Sequence, residues 1–360
     1  FEMRTFVLTD ASNDSWVESF KLEGEPLGAE AFHGCSVSKR RLHGGRREGV
    51  DLVEVDNGAV AFAIVPTRGM NIWKASAGAD RVGWDSPATD GPVNPAYVNL
   101  LNLGGIGWLE GFDELLARCG LMNNGAPYRD GDVLHPLHGR ISSQRASLSG
   151  YGIDWSRDRP VIWAEAVVRQ SAVFGENLVL RRCIHLEVFG NAIHVDDAVE
   201  NCGYRPTPHA ILYHVNFGYP FVDQSIKIAG DIGAEMASSF NAEDKRPRDD
   251  FVDYFQEMPV DSGTSTAEIE LRNPNLLGGV RACLSFSQIA LPNFGVWRAF
   301  QSGVYAFALE PTRQFDPEGT DLNSTALSPG QRATYCISIE LGPIPARSDA
   351  AMAAFGDSEK

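Results

Sequence analysis

Apolar and polar residues alternate with a period of two along most of the chain, and the longer period of an amphipathic helix is nearly absent. The alternation predicts strands over 50–55, 59–65, 177–188, 192–201, 209–216, 267–271, 280–288, 304–310 and 332–341. Short helices are expected only at 112–118 and 348–355. Two stretches lack either period. Residues 83–108 are rich in glycine, proline and asparagine, and 241–263 are strongly charged. Loops of that length in a compact domain usually carry function or are disordered. No repeat, low-complexity tract or linker divides the 360 residues, so the expectation is all-β: one large antiparallel β-domain over 1–360 with few short helices.

One hairpin can be read in register. With Phe189-Gly190 as its turn, Leu186 faces Ile193, Ile184 faces Val195 and Leu180 faces Val199, all aliphatic. The remaining pair on that face is Arg182 opposite Asp197. Opposite charges on an apolar face must pair or serve a pocket, because an isolated buried charge is very costly. They are read as a structural ion pair, with direct substrate contact as the alternative.

Composition narrows the partners. Thirty-one basic residues against 47 acidic ones leave a formal charge of −16, which repels nucleic acid and anionic membranes. No run approaches the roughly 18 apolar residues of a membrane helix. No signal peptide is visible at Phe1-Glu2-Met3-Arg4. The six cysteines are scattered, as reduced thiols are, and a cytoplasmic protein is expected.

Chemistry concentrates at three places. On the 209–216 strand, Ala210, Leu212, His214 and Asn216 share a face, so His214 and Asn216 project together near its end. On 304–310 the small residues Val304, Ala306 and Ala308 lead to Glu310, with Pro311 next. They leave room for a ligand beside a carboxylate whose pKa burial would raise, which suits a general base near neutral pH. The third place is His135-Pro-Leu-His138-Gly-Arg140. Its proline precludes helical presentation of the two histidines, and no carboxylate or cysteine completes a metal set, so no metal is expected. His138 reads as a substrate-facing loop histidine or as one bonded to backbone. A basic island, Lys39-Arg40-Arg41 with Arg46-Arg47, is either a solvated face or an attractor for a phosphorylated or acidic sugar.

Leu137-His138-Gly139, then Tyr213-His214-Val215-Asn216-Phe217-Gly218, then Leu309-Glu310-Pro311-Thr312 occur in the order found in galactose mutarotase-like proteins, the aldose 1-epimerases, and the chain resembles that superfamily over about residues 35–341. It is most similar to a poorly characterised bacterial branch, at Pro66-Thr67-Arg68-Gly69-Met70, Gly104-Gly105-Ile106-Gly107-Trp108, Phe112-Asp113-Glu114-Leu115 and Arg118-Cys119-Gly120-Leu121. The resemblance implies a supersandwich with a sugar site on a concave face, and cofactor-free exchange of α and β anomers. Glu310 matches the base, His214 the acid that protonates the ring oxygen, and His138 a histidine that polarises the sugar. Arg118, Asn123 and the neighbouring Asn124 fall where substrate is bound. Asn216, Arg140, Trp297 and Arg68 are further candidate contacts. Acid and base are expected on opposite sides of the hemiacetal. The family's hydroxyl-binding aspartate has no clear match, with Asp223 and Asp316 as candidates. The partners expected are a small-molecule sugar and, as a homodimer, a second copy of the chain. The alternatives are a non-catalytic carbohydrate-binding sandwich and a glycoside hydrolase or lyase pairing Glu310 with Asp316.

Overall fold

In a computed structural model, residues 4–23, 34–78, 80–154, 159–260, 263–276, 278–313 and 326–345 are described. The expected helix at 348–355 and Asp316 lie outside them. Two large antiparallel sheets, of ten and eleven strands, account for most of the described chain. They pack face to face. One apolar core draws Ile72, Ile211, Val215 and Leu309 from the larger sheet and Leu180, Ile184, Val195 and Ile339 from the smaller. The antiparallel β-domain expected from the alternation, and the large β-sandwich implied by the resemblance, are what the described residues form.

The hairpin register holds: Leu180 pairs with Val199, Arg182 with Asp197 and Ile184 with Val195. Arg182 binds Asp197 through Nε and Nη2, both at 2.8 Å, and both side chains are wholly buried between the sheets. Arg118 reaches the same carboxylate at 2.9 Å, and the Tyr213 hydroxyl donates to it at 2.8 Å. The pair is therefore a structural knot tying the two sheets, and substrate contact is ruled out by its position. Paired cations hold the Asp197 carboxyl below its ordinary range despite its burial.

The helix expected at 112–118 does not form. Leu116–Leu121 is instead a central strand buried on both faces, which shows no alternation of apolar and polar residues. The longest helix among the described residues, Ala234–Ala242, arises inside no expected element. It covers the edge of the core through Phe240 and Met236.

In the larger sheet the strands Asn71–Ala77, Leu116–Leu121, Ala210–Gly218, Ala306–Arg313, Asn293–Ala299 and Tyr254–Glu257 lie side by side in that order. Ile211, Tyr213, Val215 and Phe217 point into the core. Leu212, Ala117, Cys119, Ala299 and Ala306 form a separate cluster on the outer face, with Trp84, Trp108 and Phe112 from the 83–115 segment laid over it. That covered outer face is where the candidate chemistry gathers.

Candidate active site

The register between Ala210–Gly218 and Ala306–Arg313 pairs Leu212 with Thr312 and Val215 with Leu309, which sets His214 across the ladder from Glu310. Their side chains touch: His214 Nε2 lies 3.4 Å from Glu310 Oε1. On either flank the same row carries only small residues, Ala117 beside His214 and Gly295 beside Glu310. A Cβ on Gly295 would fall 2.0 Å from the Phe255 ring, so that glycine lets Phe255 close down next to the carboxyl. The two groups were expected on opposite sides of a hemiacetal. They instead stand on adjacent strands, because residues 96 apart in sequence become ladder neighbours.

His138 completes the group. It sits at φ +58° ahead of Gly139 in a turn held to the Leu116–Leu121 strand, where Gly120 N–H donates to His138 O and Arg140 N–H to Gly120 O. Gly139 is required there: a Cβ would meet Gly120 O at 2.4 Å. The His138 ring stands edge-on to His214, centroids 5.3 Å apart, and 4.7 Å from Trp108. Around His214 lie Phe112 at 5.2 Å, Trp297 at 5.7 Å and Trp108 at 6.1 Å. Trp108 is anchored by donating to Ser142 Oγ, and half-buried Trp297 by donating to Asp253.

Asn216 shares the face of His214, and its amide donates to Glu114 O and His214 O, both at 2.9 Å. Its Oδ1, His214 Nδ1 and His138 Nδ1 are buried without a hydrogen-bond partner. Buried polar atoms left unsatisfied are costly and call for an explanation.

The electrostatics follow from burial. His214 is 4% exposed and Glu310 2%. Desolvation pushes Glu310 up to about 8 and His138 down to about 4. His214 is held well below its ordinary range by burial and by His138, while Asn216 pulls the other way. Near neutral pH the closed site therefore holds one proton between His214 and Glu310, favoured on the carboxyl, and no net charge.

This has a consequence for stability. Glu310 has a folded pKa above its unfolded value, so its contribution is fully present below the unfolded pKa near 4.5 and is lost as pH rises through about 8. Glu310→Gln should be more stable than wild type at pH 9, by on the order of a few kcal/mol and with a correspondingly higher melting temperature, and show little difference at pH 4.5. Equal melting at both pH values, read by circular dichroism, would contradict the raised pKa.

Six of the expected residues are engaged elsewhere. Arg118 points into the inter-sheet core and binds Asp197, because alternate residues of its strand face opposite sides. Arg68 is buried and spent on Glu114 Oε1 at 2.5 Å and on Val93 O. It thereby braces the turn that delivers Phe112 to the site. Arg140 pairs with Glu176. Asn123 donates to Pro136 O at 2.8 Å and so supports the His138 turn from behind. Asn124 donates to Thr312 Oγ1. Asp223 accepts from Ser225 in its own loop. Nothing in the sequence singled out Trp84, whereas Phe112 lies in one of the motifs shared with the resembling family, Phe112-Asp113-Glu114-Leu115. Trp108, inside a glycine-rich motif, carried the available signal: a Cβ on Gly107 would lie 1.9 Å from Asn99 O. That turn tolerates no side chain. No group of three or more metal-binding side chains occurs among the described residues. No helix among them is long and apolar enough to cross a membrane.

The sandwich has the galactose mutarotase-like fold, shared with the solved structures similar to it. The chain itself belongs to the family described as Domain of unknown function (DUF4432), whose model matches residues 47–341. No curated protein matches it. Among solved structures it is similar to a Klebsiella pneumoniae protein described as a candidate aldose 1-epimerase, with 24% identity, 99% of this chain and 97% of that one covered, and a TM-score of 0.88. A galactose mutarotase-like protein from Clostridium acetobutylicum is similar at 11% identity, 86% and 99% coverage and a TM-score of 0.57. A galactose 1-epimerase from Lactobacillus acidophilus is similar at 11% identity, 91% and 99% coverage and 0.50.

Proposed function

We propose that the protein is an aldose 1-epimerase-like enzyme that interconverts the α and β anomers of a free sugar without a cofactor. The observation that carries this reading is the buried His214–Glu310 contact, beside unpartnered atoms of His138 and Asn216. Mutarotation needs one group to take a proton from O1 and another to give one to the ring oxygen O5, with no net proton change.

With the shared proton on His214, Glu310 is a carboxylate. It takes the O1–H proton as His214 protonates O5. The C1–O5 bond breaks and C1=O1 forms. Rotation about C1–C2 turns the other aldehyde face to O5. O5 then attacks C1, His214 recovers its proton from O5, and Glu310 returns its own to O1. O1 and O5 sit on the same carbon, so two adjacent side chains can serve both from one side. Burial favours the neutral arrangement in the closed site, and the hydroxyls of an entering sugar would favour the charged one. His138 contributes a hydrogen bond to the sugar, and Trp297 an apolar face for its C–H bonds.

His214→Asn should lower kcat for anomer exchange by roughly 10²–10⁴-fold, with a much smaller change in binding. Polarimetry or saturation-transfer NMR reads it. A weakened affinity with unchanged kcat would instead make His214 a binding contact only.

A further inference from the structure

We propose that the Phe255 ring is a shutter over Glu310, swinging aside to admit a ligand to the His214–Glu310 face. The inference deepens the anomer-exchange reading above, because it says how a sugar reaches groups that the folded chain encloses.

Glu310 is 2% exposed and His214 4%, so neither meets a hydroxyl until part of the cover moves. The rings around them differ in how firmly they are held. Trp108 donates to Ser142 Oγ, Trp84 donates to Glu114 O, and Phe112 stacks on Trp108 with centroids 4.2 Å apart. All three are buried members of one apolar cluster. Moving them would expose that cluster and strip two indoles of their acceptors.

Phe255 is the opposite case. It belongs to the short edge strand Tyr254–Glu257, where it pairs with Trp297 while Glu257 pairs with Gly295. Gly295 in turn pairs with Glu310. Paired residues share a face of the sheet, so the Phe255 ring, in contact with Gly295, reaches diagonally across it toward the carboxyl. Yet Phe255 is 44% exposed, so its ring has solvent to turn into and little contact to lose. The backbone stays behind. On the opposite face Arg298 Nη1 donates to the Tyr254 hydroxyl at 2.6 Å and to Gln256 Oε1 at 2.9 Å, which pins the strand on both sides of Phe255. Trp297 is held by Asp253 at 3.0 Å. The side chain free to move is therefore Phe255, by a change of rotamer rather than by peeling of the strand.

The test is access of a small reagent, which needs no sugar. Diethyl pyrocarbonate carbethoxylates neutral histidines, and peptide mass mapping compares His214 with exposed His43 and with His209, buried in hydrogen bonds to Leu121 O and the Tyr335 hydroxyl. Phe255→Ala should raise the His214 rate by about fivefold or more, with His43 and His209 unchanged. Gly295→Ala should do the same with the aromatic ring retained, because its Cβ would fall 2.0 Å from that ring and force it off. A His214 rate unchanged in both variants, or raised only in step with His209, would overturn the shutter. So would a rise in Leu137→Ala with none in Phe255→Ala, which would put the entrance beside His138. Access is read without turnover, so either result leaves the anomer-exchange reading to its own test, and absence of exchange for every sugar leaves the access result standing.

Discussion

Glu310→Gln is expected to abolish anomer exchange, lowering kcat by roughly 10²–10⁴-fold or more, while leaving the fold intact. The substitution keeps the size of the side chain and its place on the ladder opposite His214 and Gly295. It removes the group's capacity to take and return the O1 proton. Because the carboxyl is buried and mostly neutral at pH 7, the carboxamide takes its place without uncovering a charge. Retained thermal stability together with lost exchange is therefore the predicted combination. Exchange within about threefold of wild type would exclude Glu310 as the base and remove the proposed mechanism.

Asp197→Ala is expected to be the most destabilising single change, costing about 3–5 kcal/mol. One carboxylate receives Arg182 at 2.8 Å, Arg118 at 2.9 Å and the Tyr213 hydroxyl at 2.8 Å, all within the core between the sheets. Removing it strands two guanidinium groups far from water, and Arg118 Nη2 already lacks a partner. The knot also bridges the two sheets, so its loss weakens their packing rather than a surface detail. Urea denaturation followed by tryptophan fluorescence measures the change. A loss under about 1 kcal/mol would show that the charges are hydrated or repaired in the variant, contrary to their complete burial.

What the sequence disclosed depended on how local the signal was. The Asn177–Glu187 and Ala192–Asn201 hairpin was legible to the residue pair, because a short turn fixes register and three aliphatic pairs agreed with it. The His214 and Glu310 faces were legible from alternation alone. The contact between them was not, because it depends on Ala210–Gly218 and Ala306–Arg313 being sheet neighbours. Leu116–Leu121 was hidden for a different reason: a strand buried on both faces has no alternation to read. Arg118 was expected at the substrate from the resemblance alone, and the strand turns it into the core. Arg68 shows a further limit. A charged residue in a glycine-containing turn looks available, yet its partner Glu114 is 46 residues away. The aromatic cover of Trp84, Trp108 and Phe112 comes from a segment without periodicity, and only tertiary packing brings those rings over His214.

The central claim is that this histidine–glutamate face opens and recloses a sugar ring at C1. Saturation transfer between the α and β anomeric protons, followed in the same spectra for signals of any other sugar, tests it directly. The account predicts faster α/β exchange with wild-type protein, linear in its concentration, and no new sugar formed. Binding without enhanced exchange, or the appearance of an epimer at another carbon or of a cleaved product, would contradict it.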